Sequence, residues 1–275
     1  MSGSSGRTVY FFSGRSPLAA LACEIASTTH ADHSWHRYTL LTERDRSEFE
    51  AGRHAPDVVV SLLNGYIVKP ALLEATGGRA FNVHPGPPEY PGRDPWHFAY
   101  YDGFPRAGAT LHRMTPRVDD GQILDVVERE FDPTLSVADY AELCRQLAVS
   151  LLLRNLAAIL ADTIAPRCSR SWRAEAKRSR RDFATMCEID PTMSADEVDR
   201  RVRSFHDPHH QNVYTVIHGH KFFYRSGDPA RYQGRRPLSA GSLDCSVDGG
   251  GGRLTLNEGG RLGSQFGPNP SARKR

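Results

Sequence analysis

The chain has few cysteines and no close pair among them. Cys23, Cys144, Cys168, Cys187 and Cys245 are scattered through 275 residues without a CxxC spacing. This excludes a disulfide framework and the common zinc ribbons, whose ligands come at short intervals. A reducing, cytoplasmic setting fits that usage. Long apolar runs are missing too: no stretch approaches the roughly 20 residues that a membrane span needs, so no membrane partner is expected. Net charge is only +3, too small to draw nucleic acid unless one surface concentrates it. One stretch does concentrate it, with Arg167, Arg170, Arg173, Lys177, Arg178, Arg180 and Arg181 close together. It reads as a solvated face or linker rather than a phosphate-binding surface. Twelve histidines are present, yet His206, His209, His210, His218 and His220 make no ligand spacing with carboxylates, so no metal is expected. The opening Met1, Ser2, Gly3, Ser4, Ser5 and Gly6 lacks the apolar core and cationic lead of a signal peptide and reads as an added leader outside the fold.

What is present is an alternation of apolar runs and helical spacing. Residues 8–12, Thr-Val-Tyr-Phe-Phe, form a compact apolar run that ends in a Ser-Gly-Arg-Ser-Pro turn, after which Leu18 to Ile25 shows helical periodicity. Further strands are expected at residues 38–41, 57–63 and 80–83, with a short helix over residues 70–75 between the last two. Continuously apolar strands alternating with helices imply an α/β architecture, a parallel sheet covered on both faces. Residues 136–162 are the longest helical candidate, with Leu143, Leu147, Leu151 and Ile159 facing the sheet. Ser194 and Glu197 suggest a capping box opening a helix through Phe205, and residues 212–217 and 221–225 a β-hairpin around Gly219. From Ser226 onward Gly, Arg, Ser and Pro dominate, and a largely disordered tail is expected.

In open α/β sheets ligands lie beyond the carboxyl ends of the strands. Asn82 and His84 fall at such an end and, two residues apart on one strand, share a face. Asn82 offers an amide donor, His84 two donors when protonated, and Asp119 a carboxylate to orient the imidazole and raise its pKa. That trio suits a tetrahedral oxyanion. No serine or cysteine stands beside the histidine as a nucleophile, so direct transfer is favoured over an acyl-enzyme. A second reading is a non-catalytic nucleotide-binding module, with a phosphate at the turn of Ser13, Gly14, Arg15 and Ser16, although no GxGxxG or Walker pattern is present.

The segments Asn82-Val83-His84-Pro85-Gly86-Pro87-Pro88-Glu89-Tyr90-Pro91-Gly92, Gly108-Ala109-Thr110-Leu111-His112 and Val118-Asp119-Asp120-Gly121 resemble the family of formyltransferases that use 10-formyltetrahydrofolate. The resemblance covers roughly residues 8–160. It implies a Rossmann-like formyltransferase domain over residues 1–166, a basic linker over 167–189, a small C-terminal unit of helix plus β-hairpin over 190–225, and the Gly-rich tail over 226–275. It also implies that Asn82, His84 and Asp119 are catalytic, with Asn82 and protonated His84 stabilising the oxyanion. Leu63, Gly65, Tyr66, Ile67 and Val118 are expected around the folate. Tyr90, Arg93 and Trp96 are expected at the acceptor, where Arg93 would pair with a phosphate or carboxylate.

Within that family the Pro-Gly-Pro-Pro-Glu-Tyr-Pro-Gly turn and the trailing helix and hairpin look most like the sugar N-formyltransferases. The expected acceptor is therefore a primary amine on a nucleotide-linked amino sugar. One departure is that Arg93-Asp94-Pro95 stands where the sugar enzymes commonly carry Ile-Gly-Cys. A hydroxyornithine-like metabolite or methionyl-tRNA are the other acceptors, tRNA being disfavoured because no basic insertion interrupts the catalytic region. A homodimer is compatible with the resemblance.

Overall fold

The computed structural model describes residues 6–206 and 212–225, together with the backbone of three short strands farther on. Six strands make one sheet in the order β2-β1-β3-β4-β5-β6: β1 Thr8–Ser13, β2 Ser34–Tyr38, β3 Val58–Leu62, β4 Ala80–His84, β5 Arg106–Arg113 and β6 Ile123–Glu130. The first four are mutually parallel, as their apolar runs predict. The last two are antiparallel, which corrects the expectation of an all-parallel sheet. The change of sense begins at β5, which runs antiparallel to β4 although a short helix lies between them, and the helix-free link from β5 to β6 turns the chain back once more.

Alternation along β1 shows why both faces are covered. Val9 and Phe11 enter one core and Tyr10 and Phe12 the other, all nearly inaccessible to water. Helix α1, Pro17–Thr29, lies on the first face and buries Ala19, Ala22, Cys23 and Ala26. On the second, Phe49 of α2, Glu43–Glu50, meets Leu72 and Leu73 of α3, Pro70–Ala75. The second strand ends at Tyr38 instead of spanning residues 38–41. As an edge strand it is mostly exposed, so its sequence, Ser-Trp-His-Arg-Tyr, carries no apolar run to mark it.

A short helix α4, Pro95–Tyr101, precedes β5, and the long helix α5, Val137–Ala161, closes the first face. Its start is fixed by a capping box between Ser136 and Asp139 and its end by Asp162 in the left-handed region, φ 59°. By length and composition α5 could cross a bilayer, contrary to the reading that no stretch approaches that length. Its Leu143, Leu147, Leu151, Leu152, Leu156 and Ile159 are buried against the sheet, each contributing about 1.5–3 kcal/mol of transfer free energy. Beyond it come α6, Arg180–Cys187, and α7, Ala195–Phe205. At the start of α7 only half of the expected capping box forms. Ser194 accepts from the Glu197 amide, while the Glu197 carboxylate accepts from Tyr101, Arg200 and Arg201.

The strands β7, Tyr214–Ile217, and β8, His220–Phe223, pair antiparallel around His218 and Gly219. Both turn residues have positive φ, 49° and 80°, as a tight hairpin turn requires. Where composition predicted little order, β9 Leu243–Val247, β10 Gly250–Leu256 and β11 Leu262–Gln265 pair as an antiparallel sheet; the rest of the tail lies outside the described residues. Backbone pairing of this kind needs no side chains, so glycine does not preclude it.

Candidate active site

Strand β4 is hydrogen-bonded on both sides, by β3 and β5, and therefore holds its side chains in fixed positions. In this register Asn82 faces His112, and His84 faces Thr110. The Thr110 hydroxyl donates to the Gly86 carbonyl at 2.8 Å, turning the chain into the Pro-rich loop. Asp119 arrives from the β5–β6 loop with φ 46°, and its Oδ2 accepts from the Gly92 amide at 2.8 Å. The loops after β4 and β5 are thus tied together through the carboxylate.

Around this tie the structure assembles a buried cluster. The His84 Nδ1 lies 3.3 Å from Asp119 Oδ2, and its Nε2 donates to the Tyr90 carbonyl at 2.8 Å. Asn82 Nδ2 donates to His112 Nε2 at 3.0 Å, and that same nitrogen stands 3.4 Å from Asp119 Oδ1. The Nδ1 of His112 donates to the Arg113 carbonyl at 2.9 Å. Trp172 sets its indole edge-on to both imidazoles, with centroids 5.6 Å from His84 and 5.1 Å from His112. His112 and Trp172 are additions to the predicted set. His112 stood in the Gly108–His112 segment that carries the resemblance, but its pairing with Asn82 appears only in the structure, whereas Trp172, in the basic stretch, carried no local signal.

His84 sits between two acceptors, and only the imidazolium can donate to both. Burial opposes that charge. It pushes His84 below the ordinary histidine value, with His112 adding to the fall, while Asp119 and the Tyr90 carbonyl recover part. Asp119 does raise the His84 pKa, as the sequence leads one to expect, but the burial of His84, only 3% exposed, outweighs it and the net shift is downward. For Asp119, burial would raise the carboxyl, but His84, His112 and the Gly92 amide outweigh it and hold the group well below the usual carboxylate range.

Both shifts make acid destabilising. Below pH 6.5 an unfolded His84 takes up a proton that the folded one resists, and below 3.8 an unfolded Asp119 does the same. Stability is therefore expected to fall as the pH drops from 7 to 5, with His84 as the contributor in that window. Urea midpoints at the two pH values check this: the difference should shrink in His84→Gln, and an unchanged difference would remove His84 as its source.

The other predicted positions are dispersed. Ile67, just after β3, and Val118, on the β5–β6 loop, are exposed, 63% and 42%. Gly65 has open space around it, whereas Tyr66 is buried in the second core with its hydroxyl donating to Glu50. The Leu63 carbonyl accepts from the Gly14 amide at 2.9 Å, which occupies the turn considered for phosphate. Tyr90 is buried, its hydroxyl donating to Asp102 at 3.1 Å, and reaches His84 through its backbone carbonyl alone. Arg93 pairs with Asp94 at 3.1 Å, and Trp96 carries the Arg145 guanidinium over its ring at 5.1 Å. Among the described residues no group of histidine, cysteine and carboxylate side chains could hold a metal ion.

The family described as Formyl transferase matches residues 19–156, half of the 275-residue chain. This chain belongs to the formyl transferase family. Methionyl-tRNA formyltransferase of Geobacillus thermodenitrificans (strain NG80-2) is 29% identical over 154 residues, 55% of this chain and 47% of that protein. The chain thus spans between about a third and a half of the length of the curated relatives it matches, 36% and 47% for two of them. Among solved structures, the sugar N-formyltransferase from Shewanella sp FDAARGOS_354 is similar with a TM-score of 0.64 at 18% identity, over 80% of this chain and 97% of that one. The formyltransferase PseJ from Anoxybacillus kamchatkensis, in complex with UDP-4,6-dideoxy-4-formamido-L-AltNAc and tetrahydrofolate, gives 0.54 at 17%, over 72% and 100%. At such identities the likeness establishes the shared Rossmann-like formyltransferase fold. In this member of the family Asn82, His84, His112 and Asp119 all fall inside the matched residues, and Trp172 lies beyond them.

Proposed function

We propose that the chain moves a formyl group from 10-formyltetrahydrofolate to a primary amine, and that the amine belongs to a nucleotide-linked amino sugar. The observation that carries this reading is the buried Asn82–His84–Asp119 cluster at the end of β4, two loops tied together by one carboxylate. The fit to folate rests on two exposed apolar side chains, Ile67 and Val118, and on the open space at Gly65. The sugar acceptor is supported by structural neighbours that this chain covers almost completely.

The folate supplies the formyl group; the amine gains it and gives up one proton, and the folate nitrogen takes one. Asn82 has one Nδ2–H engaged by His112 and a second left to donate to the oxyanion. His84 reaches the same oxygen by exchanging the Tyr90 carbonyl for it, while Asp119 holds the imidazole from behind. Asp119, directly or through water, helps remove the amine proton. The sequence relatives favour methionyl-tRNA as a second acceptor. No metal enters this scheme, and the chain is read as a cytoplasmic protein.

The test is a formyl-transfer assay with 10-formyltetrahydrofolate against dTDP-, UDP- and GDP-amino sugars, hydroxyornithine and methionyl-tRNA, reading tetrahydrofolate release and product mass. A formyl mass gain on one amino sugar is expected. Transfer to methionyl-tRNA alone would replace the sugar, and absence of folate binding would overturn the reading altogether.

A further inference from the structure

The segment 167–178 runs back across both loops that carry the cluster. On one side the Arg173 amide donates to the Pro88 carbonyl and the Arg178 amide to the Pro91 carbonyl, each at 3.1 Å, and the Arg93 amide donates to the Arg178 carbonyl at 2.8 Å. On the other, the Arg167 amide donates to the Leu124 carbonyl at 2.6 Å, Trp172 Nε1 to the Gly121 carbonyl at 2.8 Å and the Lys177 ammonium to the Val118 carbonyl. Arg170 bridges Glu89 and Glu128 at 2.5 and 3.1 Å. Gly92 has φ 94° and no room for a Cβ, because the Arg178 carbonyl occupies that place. A segment anchored on both flanks in this way is a strap.

The strap sets Trp172 at its centre. The indole presents its inner side to His84 and His112 in edge contacts, with interplanar angles of 81° and 87°. It also lines an open groove of about 480 Å³, together with Asp120, Gly121, Gln122, Ile123 and strap residues including Cys168 and Arg170. His84, His112 and Asp119 do not line that groove. The indole thus borders the groove while its edge-on contacts reach both imidazoles.

We propose that Trp172 is a positioning residue of the transfer centre, whose ring keeps solvent in the groove from entering between the His84–Asp119 pair and holds the imidazole in place. This rests on the reading that His84 and Asp119 carry the transfer. A paired charge in a water-excluded site interacts more strongly and within a fixed geometry. Replacing the indole by a methyl group joins the groove to the pair, and both groups then hydrate. The charged and titratable groups around the pair are His112 on β5, Asp120 with Arg117 beside it on the loop, and Lys177 on the strap. None of these substitutes for the ring as a barrier to water.

The experiment is an NMR titration of the His84 imidazole in the full chain, for wild type, Trp172→Ala and Trp172→Phe. Hydration restores the charged form, so the His84 midpoint is expected to rise by about one pH unit in Trp172→Ala. In Trp172→Phe, which keeps a ring, the rise should be less than half of that. In the transfer assay Trp172→Ala should lose about tenfold in kcat with little change in KM for the folate donor, and Trp172→Phe should restore most of it. A His84 midpoint unchanged in folded Trp172→Ala would overturn the proposal. Should that chain fail to fold, Trp172→Leu provides the same comparison. If the wild type formylates no amine, the proposed function fails while the titration still decides the part played by Trp172.

Discussion

Asn82→Ala is expected to lower the turnover of formyl transfer by about a hundred- to a thousandfold, and His84→Ala by at least as much, since removing one oxyanion donor costs about that factor. The residues make the expectation specific. Asn82 is held by His112 through one N–H, so its other N–H is aimed by the sheet itself and not by a mobile side chain. Losing it removes a preorganised donor without opening the core, because Asn82 is only half-buried. His84 is different: its removal leaves Asp119 buried beside His112 with its principal partner gone, so lost turnover should come with lost stability. Single-turnover rates together with urea midpoints separate the two effects. Turnover within about threefold of wild type in a folded Asn82→Ala chain would remove Asn82 from the centre.

Phe205→Ala is expected to destabilise the chain by about 3–5 kcal/mol. Phe205 is fully buried and is the hub through which α7 joins the larger body. His97 stacks on it at 5.8 Å, and Phe98, Tyr101 and Phe183 meet it at 5.3, 5.8 and 5.6 Å. Those rings come from both α4 and α6, so the cavity left by a truncated side chain cannot collapse onto one flexible neighbour. His97 also donates to the Ser204 carbonyl at 2.6 Å, a bond that loses its stacked support in the variant. Equilibrium unfolding reads the effect, and a loss below about 1 kcal/mol would mean that α7 is held elsewhere.

How much of this was legible in the sequence follows from which elements carry a periodic apolar signal. Strands β1, β3 and β4 are buried on both faces and read as predominantly apolar runs, broken in β3 by Ser61 and in β4 by Asn82. Helix α5 was equally plain. Helix α2 was not, because Phe49 is its single buried residue, and one apolar position defines no period. Helix α4 is rich in aromatics, poor helix formers, and begins after Asp94 in the left-handed region. Its cue was Pro95 at the first turn. Within the site, Asn82 and His84 followed from strand alternation and Asp119 from its motif. The contacts among them depend on β4–β5 pairing and on the Asp119–Gly92 bond, long-range features that no local pattern records. The same limit hid the strap: its arginines and lysine resemble any solvated run, and only their backbone partners reveal that they cross a buried centre.

Translation releases the chain from its amino end, and domains generally fold in that order. By the time Ala161 is made, every strand of the six-stranded sheet and its long covering helix have been synthesised, while residues 167–178 are still to come. The centre is therefore the last part of the larger body to be finished. A nascent chain halted before Trp172 would carry its histidines and carboxylate without the ring that shields them and steadies the imidazole, a centre present but open to solvent.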